Sequence, residues 1–217
     1  MPISFPSKLC ALAGEAVSLL PPGAQVELLL RAGVRVILLR SERDDAALQP
    51  ELLALVEQCR AKRATLLLHE RLARSRAARP HGVLLDGDPS RVASARGDLG
   101  PEFIIGLTVR SAAEFQAAQG SGADFLLLEP IFPSANAPSQ PSAFGVSGLN
   151  RLAARSAIPL ASHGAISRDT LPIVLAAGAG MAVVSDAIWK EKNPEAAARA
   201  LLKLAGEGLA LPLMQGA

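Results

Sequence analysis

Four segments of this chain repeat one design, and that repeat limits the fold more than any other feature. "AGVRVILLR" (Ala32–Arg40), "PHGVLLDG" (Pro80–Gly87), "SGADFLLLEP" (Ser121–Pro130) and "AGAGMAVVSD" (Ala177–Asp186) each set a small residue and a glycine before an apolar run that closes on a polar residue. The glycine suits the left-handed position that ends a helix. An apolar run without alternation suits a parallel strand buried on both faces. The polar residue then marks the strand's C-terminal end.

Segments of helical period lie between these units: "DAALQPELLALVEQCRAK", "SAAEFQAAQG", "SRDTLPIVLAAG" and "NPEAAARALLKLAGEG". Ser111 with Glu114 three positions on forms a capping box. Ser167 and Asn193 can cap their helices, Asn193 with Pro194 at the first helical position. Strands are expected at Lys8–Leu12, Val34–Leu39, Ala64–Leu68, Gly82–Leu85, Glu102–Gly106, Ala123–Leu128, Ile158–Ala161 and Gly180–Val184, each followed by a segment able to form a helix. Eight strand–helix units in 217 residues predict a (β/α)8 TIM barrel in the α/β class, one domain over residues 1–217 with no linker. A doubly wound open sheet is the alternative, but no GxGxxG follows the first strand.

The core has to be aliphatic, since aromatic residues are 3% of the chain and tyrosine is absent, while 50% is hydrophobic. That composition also removes the stacking platforms a nucleic-acid binder uses. A net charge of +2 without a basic tract points the same way. Cys10 and Cys59, far apart and outside any CxxC, read as two reduced core thiols. The N-terminus lacks signal-peptide character, and no stretch reaches the ~20 apolar residues of a membrane span. The expectation is a soluble cytoplasmic protein without nucleic-acid or membrane partners.

In such a barrel the chemistry sits on the loops at the C-terminal strand ends. The segment after strand six, Glu129 to Phe144, is the longest irregular one and reads as a lid or binding loop. Its prolines 133, 138 and 141 block regular structure, and Ser134, Asn136 and Ser139 can donate to a ligand. The other strand ends supply Arg40, His69-Glu70, Asp86 with Asp88, Thr108 with Arg110, Ser162-His163-Gly164 and Ser185-Asp186. A rim this polar above an aliphatic barrel is a candidate pocket. Gly164, and Ser185 at a helix start, suit an anion, because the loops after strands seven and eight are the usual phosphate site of these barrels.

The chain resembles the family of thiamine-phosphate synthase and the TenI-like thiazole tautomerase from about Gly33 to Leu204. "GADFLLLEPIFPS" is similar to the family's GADYxxxGPIFPT, "IPLASHGAI" to IPVxAIGGI, and "AGAGMAVVSDAI" to AGADGxAVVSAI. "AGVRVILLRSER" and "LHERLARSRAARPHGVLL" match more weakly the family's Q-L-R-x-K strand end and its NDRxDLAxxxGADGVHL stretch. The resemblance implies a barrel that joins a pyrimidine, carried as its pyrophosphate ester, to a thiazole phosphate, with magnesium assisting the leaving pyrophosphate. It implies a homo-oligomer as well, although no helix face carries an interface signature.

Carried over residue by residue, the resemblance is divided. Gly164, Val184 and Ser185 fall on the family's phosphate-contacting positions. Arg40 is kept, while Leu38 and Glu42 stand for the family's Gln and Lys. His69-Glu70 replaces its Asn-Asp pair, leaving Glu70 as a magnesium ligand, and "DGDP" leaves Asp86 or Asp88 as the second. Ala137 stands where the family has a lysine, and Arg110 where its strand-five motif has a histidine. A lysine-to-glutamate exchange beside a polyanion turns attraction into repulsion.

The tautomerase moves a proton on a thiazole carboxylate phosphate and needs neither metal nor pyrophosphate. Its histidine position is Pro130 here, and Glu129 beside it serves as a base if burial raises its pKa. Arg40, Glu129 and His163 are thus the catalytic candidates, and Ser134, Asn136, Gly164, Val184 and Ser185 the substrate-binding ones. A thiazole-phosphate binder without catalysis and a phosphosugar-type barrel enzyme are the other readings of the same rim.

Overall fold

The structure is a computed structural model that describes residues 5–41, 45–70, 79–133 and 142–206. Eight parallel strands close on themselves in chain order: β1 (Leu9–Ala13), β2 (Val36–Leu39), β3 (Thr65–His69), β4 (Gly82–Asp86), β5 (Ile104–Val109), β6 (Phe125–Leu128), β7 (Leu160–His163) and β8 (Met181–Val184), with β1 paired to β8. Among the described residues the outer ring comprises α1 (Pro22–Ala32), α2 (Asp45–Ala61), α3 (Ser90–Leu99), α4 (Ala112–Ala118), α5 (Gly145–Ala153), α6 (Leu171–Ala176), α7 (Asp186–Trp189) and α8 (Pro194–Leu204). The barrel expected from the repeats is the fold of this chain.

All eight expected strands are present, shifted by up to three residues. In the first run the opening alanine and glycine belong to the preceding helix end: Ala32 is the last residue of α1, and Gly33 sits at φ +97° and donates its N–H to the carbonyls of Leu29 and Leu30. The structure also contains α1, α3, α5 and α7, which periodicity did not single out. Ser111 caps α4 by accepting from the Glu114 N–H at 3.1 Å, and Asn193 caps α8 by accepting from the Ala196 N–H at 3.0 Å. Ser167 departs from expectation. It exchanges hydrogen bonds with Thr170 in a turn, and Thr170 is the residue that precedes α6.

The side-chain period of two sorts every strand into two cores. Even positions of β1 and β2 and odd positions of β3 and β6 through β8 point to the axis. There Cys10, Leu12, Val36, Leu38, Leu67, Leu84, Phe125, Leu127, Ala161, Met181 and Val183 form one cluster. Their neighbours Ala11, Ile37, Leu39, Leu66, Leu68, Leu126, Leu128 and Val184 pack outward against the helices. Both thiols are free and buried, Cys10 inside the barrel and Cys59 on the buried face of α2.

The N-terminal end of the barrel is closed by aromatics. Phe125 lies edge-on to Phe5, with ring centroids 5.6 Å apart. Gly106 makes the room, because a Cβ there would meet the Phe125 ring at 2.2 Å. A small apolar pocket remains beside these rings, lined by Phe5, Val36, Leu67, Ile104 and Met181 among others. It is apolar and lies at the opposite end from the polar C-terminal strand ends, so it is a packing gap. No described helix is long and apolar enough to cross a membrane.

Candidate active site

Continuing the inward period past the last apolar layer gives a layer of polar side chains at the barrel mouth. Leu38 leads to Arg40, Leu67 to His69, Leu84 to Asp86, Leu127 to Glu129, Ala161 to His163 and Val183 to Ser185. On β5, Thr108 lies opposite Asp86 and Leu127 in the ladders, which faces it inward, and Arg110 follows two residues on. The sequence thus places one ionisable group above each of several strands, directed to the axis.

Two clusters form within this layer. In the first, Glu129 Oε2 lies 3.3 Å from His163 Nδ1 and 4.0 Å from Arg40 Nη2. Strands β2 and β6 are four apart in an eight-strand barrel, so the Arg40 guanidinium crosses the mouth to reach Glu129. In the second, Asp86 lies between Arg110 Nη2, 2.9 Å from Oδ1, and His69 Nε2, 2.9 Å from Oδ2. The His69 approach is off the line a hydrogen bond prefers, and both ring nitrogens are buried without an aligned partner.

The candidate base behaves differently from expectation. Burial pushes the Glu129 carboxyl up, but the His163 contact and the charges of Arg40 and Arg110 outweigh it, and its pKa falls below the ordinary value. Glu129 is therefore held as a carboxylate and is a weak base near neutrality. Asp86 is also held well below the usual range, first by His69 and, against burial, by Arg110.

Gly164 brings the sixth and seventh strand ends together. It sits at φ +114°, and a Cβ would come within 2.9 Å of Pro130 and the Ile131 nitrogen. The Ile131 N–H donates to the His163 carbonyl at 2.8 Å, and the Phe132 N–H to the Gly164 carbonyl at 3.3 Å. The Phe144 and Gly145 N–H groups donate back to Pro130 and Ile131 at 3.0 and 2.9 Å, so the long segment after β6 is pinned at both ends. Ser134, Asn136, Ser139, Ala137 and Glu42 lie outside the described residues.

The remaining candidates are dispersed. Val184 faces the helices, because it is one residue out of phase with Val183, and only its main chain is available to the rim. Ser185 precedes α7 at the mouth and makes no side-chain cap bond. Glu70 is out of phase with His69 in the same way. Its Oε2 accepts from Arg91 at 2.7 Å and from the Asp86 N–H at 2.9 Å. Asp88 is on the loop before α3, where it accepts from the Ser90 N–H at 2.9 Å. Asp124, in the quoted GAD stretch, is at the far end of the barrel. It accepts from Arg96 at 2.6 Å and from the Ile105 N–H at 2.7 Å, a structural clamp.

Magnesium fits these residues poorly. It prefers oxygen donors with free lone pairs in near-octahedral geometry. The Glu70 and Asp86 carboxylates each face an arginine within 3 Å, at 2.7 and 2.9 Å, and Asp88 Oδ1 accepts from the Ser90 N–H. Among the described residues no group of three or more His, Cys, Asp or Glu side chains is placed to hold a metal ion.

The sequence model of the thiamine monophosphate synthase family matches residues 18–188. The chain belongs to the thiamine monophosphate synthase family. A thiamine-phosphate synthase from Chlorobium luteolum is 34% identical over 210 residues, covering 92% of this chain and 96% of the relative. The bifunctional thiamine biosynthesis protein ThiM/ThiE from Symbiobacterium thermophilum is 34% identical over 184 residues; the match takes in 84% of this chain and 38% of that longer protein. A solved structure, thiamine phosphate pyrophosphorylase from Pyrococcus furiosus, superposes with a TM-score of 0.81 at 24% identity, covering 92% and 96% of the two chains. That likeness shows the shared barrel. Family membership, carried by the sequence matches, places the chain in thiamine biosynthesis, as the quoted motifs implied. Arg110, Thr108 and His69 complete the mouth of this family member. All three stand at strand ends in the sequence, where the period of two past the last apolar residue marks them as inward.

Proposed function

We propose that this chain is a thiamine-phosphate synthase-like protein that binds a thiazole phosphate at the ends of β7 and β8 and couples it to a pyrimidine pyrophosphate. One observation carries the reading. Gly164 joins the β7 end to Pro130-Ile131 through a backbone that tolerates no side chain, and it does so within the two motifs that most resemble the family. Gly164 and Ser185 are the main-chain and hydroxyl donors for the thiazole phosphate, with the Val184 main chain beside them. Ser134 and Asn136 are candidate donors from the long segment after β6.

In the coupling, the thiazole nitrogen forms a bond to the pyrimidine methylene while the bond to the pyrophosphate oxygen breaks, and pyrophosphate leaves as the anion. The chain supplies positioning and cationic groups, Arg40 and Arg110, toward the leaving group. The substrates are small phosphorylated molecules, and the site has no role for nucleic acid or membrane. The reading keeps a cytoplasmic location and a homo-oligomer as its setting.

A second reading is favoured by the 3.3 Å contact of Glu129 and His163. A carboxylate on Nδ1 orients an imidazole and leaves Nε2 as the ring atom for proton exchange. In that reading the chain is a TenI-like tautomerase: His163 takes a proton from one atom of a thiazole carboxylate phosphate and returns it to another, with Glu129 as the orienting carboxylate.

A product assay separates the readings. Purified protein is incubated with thiazole phosphate, pyrimidine pyrophosphate and magnesium, and thiamine phosphate is read as fluorescent thiochrome. Product supports the synthase, and its loss on chelation would assign magnesium a part. Absence of product, with solvent deuterium entering thiazole carboxylate phosphate, supports the tautomerase. Absence of both, with a melting temperature that rises with thiazole phosphate, leaves a binder. No rise sinks the thiazole-phosphate reading altogether.

A further inference from the structure

We infer that Glu129 is an internal counter-ion, its carboxylate filling the place of an external phosphoryl anion between Arg40 and His163 and so setting which anion the mouth admits. The inference concerns the same mouth as the proposed function but does not rest on the reaction assigned to it.

The first argument is the quality of the contacts. Charge-assisted hydrogen bonds run at about 2.7–2.9 Å, and Arg91 and Arg110 meet that standard with their carboxylates at 2.7 and 2.9 Å. Arg40 approaches Glu129 only to 4.0 Å, and Glu129 Oε2 is buried without an aligned hydrogen bond from any group. Arg40 Nε is likewise buried and unpartnered. A bare carboxylate satisfies the charge of this arginine but leaves its Nε donor unmet.

The second argument is the company these groups keep. Thr108, fully buried, has a hydroxyl without a partner, and both ring nitrogens of His69, 4% exposed, lack aligned ones. Both residues face the axis just below or beside the charged layer. Buried polar groups are ordinarily satisfied, so several orphans in one layer point to a ligand with more oxygens than a carboxylate carries. The charge of Arg110 also reaches Glu129, which gives the mouth two arginines for such a ligand. A pyrophosphate offers terminal oxygens for both, and it competes with Glu129 for the same space and charge.

Glu129 is thus a specificity-determining residue that disfavours polyanions while its carboxylate stays in place. Calorimetric titration with inorganic pyrophosphate, without magnesium, tests this on folded full-length protein. Glu129→Gln should bind pyrophosphate at least tenfold more tightly than the unsubstituted chain, and adding Arg40→Gln should remove the gain. Should Glu129→Gln fail to fold, Glu129→Gly, the residue of the family's motif at this position, replaces it. Equal affinity with and without Glu129, or a gain that survives Arg40→Gln, overturns the inference. Titration with thiazole phosphate runs in parallel. If it fails while the pyrophosphate gain appears, the functional reading falls and the counter-ion stands; the reverse pattern separates them the other way.

Discussion

Arg40 at the end of β2 reaches across the barrel mouth to Glu129 after β6, bringing Nη2 to 4.0 Å from Oε2. The pair spans the barrel mouth and lies over the inner apolar layer of Leu38 and Leu127. Its charge balance makes the acid side of the stability profile the first place to look. The Glu129 pKa is lowered in the fold, so its contribution is whole above the ordinary value of 4.5 and is lost as pH falls through the lowered one. The melting-temperature gap between the unsubstituted chain and Glu129→Gln should therefore narrow below about pH 4.5. A gap that stays constant from pH 7 to pH 3 contradicts the ion-pair geometry.

Gly164→Ala should damage the rim more than the barrel. The Cβ would sit 2.9 Å from Pro130 and Ile131 at a φ of +114°. Relief requires the segment after β6 to move away from β7, with a stability cost of about 1–3 kcal/mol. Affinity for thiazole phosphate should fall tenfold or more by calorimetry, while the far-ultraviolet circular dichroism spectrum is retained. Unchanged affinity would separate the anion site from this glycine.

Gly106→Ala tests the closed end. The added methyl meets the Phe125 ring at 2.2 Å, and overpacking a tight core costs roughly 1–3 kcal/mol. In a chain of this size that lowers Tm by about 2–4 °C for each kcal/mol. Pairing it with Phe125→Leu should recover part of the loss. Independent, additive effects would mean the ring is not what excludes the methyl.

The thiols should be inert in the native protein. Burial pushes the Cys10 thiol up to about 12, against a lowering hydrogen bond from the Leu38 main chain, and the Cys59 thiol up to about 11. Since the thiolate is the reactive form, an aromatic disulfide reagent at pH 8 should titrate neither until denaturant is added, and both thereafter. Prompt reaction of either would place it nearer solvent than the structure does.

Much of this fold can be read from the chain because a parallel strand buried on both faces writes itself as an unbroken apolar run. The helices are less legible. Asp45–Ala61 and Pro194–Leu204 carry an apolar stripe, whereas Ser90–Leu99 is mostly small and polar and buries only Val92. Tertiary packing, not its own pattern, makes it a helix. At the mouth, the strand ends named residues that reach it but not their partners. That Asp86 meets Arg110 and His69, and that Glu129 meets Arg40, depends on ladder registers and barrel closure, which no local spacing encodes. Phase decides the rest: Glu129 and His163 fall inward, Val184 and Glu70 fall outward, each by a single residue.

The hydrogen bonds from Phe144 and Gly145 to Pro130 and Ile131 make the stretch between them a closed bracket. Strand β6 and helix α5 are held by that bracket whatever its contents. Doubling the enclosed chain adds only about 0.6 kcal/mol of closure entropy, so insertions and deletions there leave the barrel's register untouched.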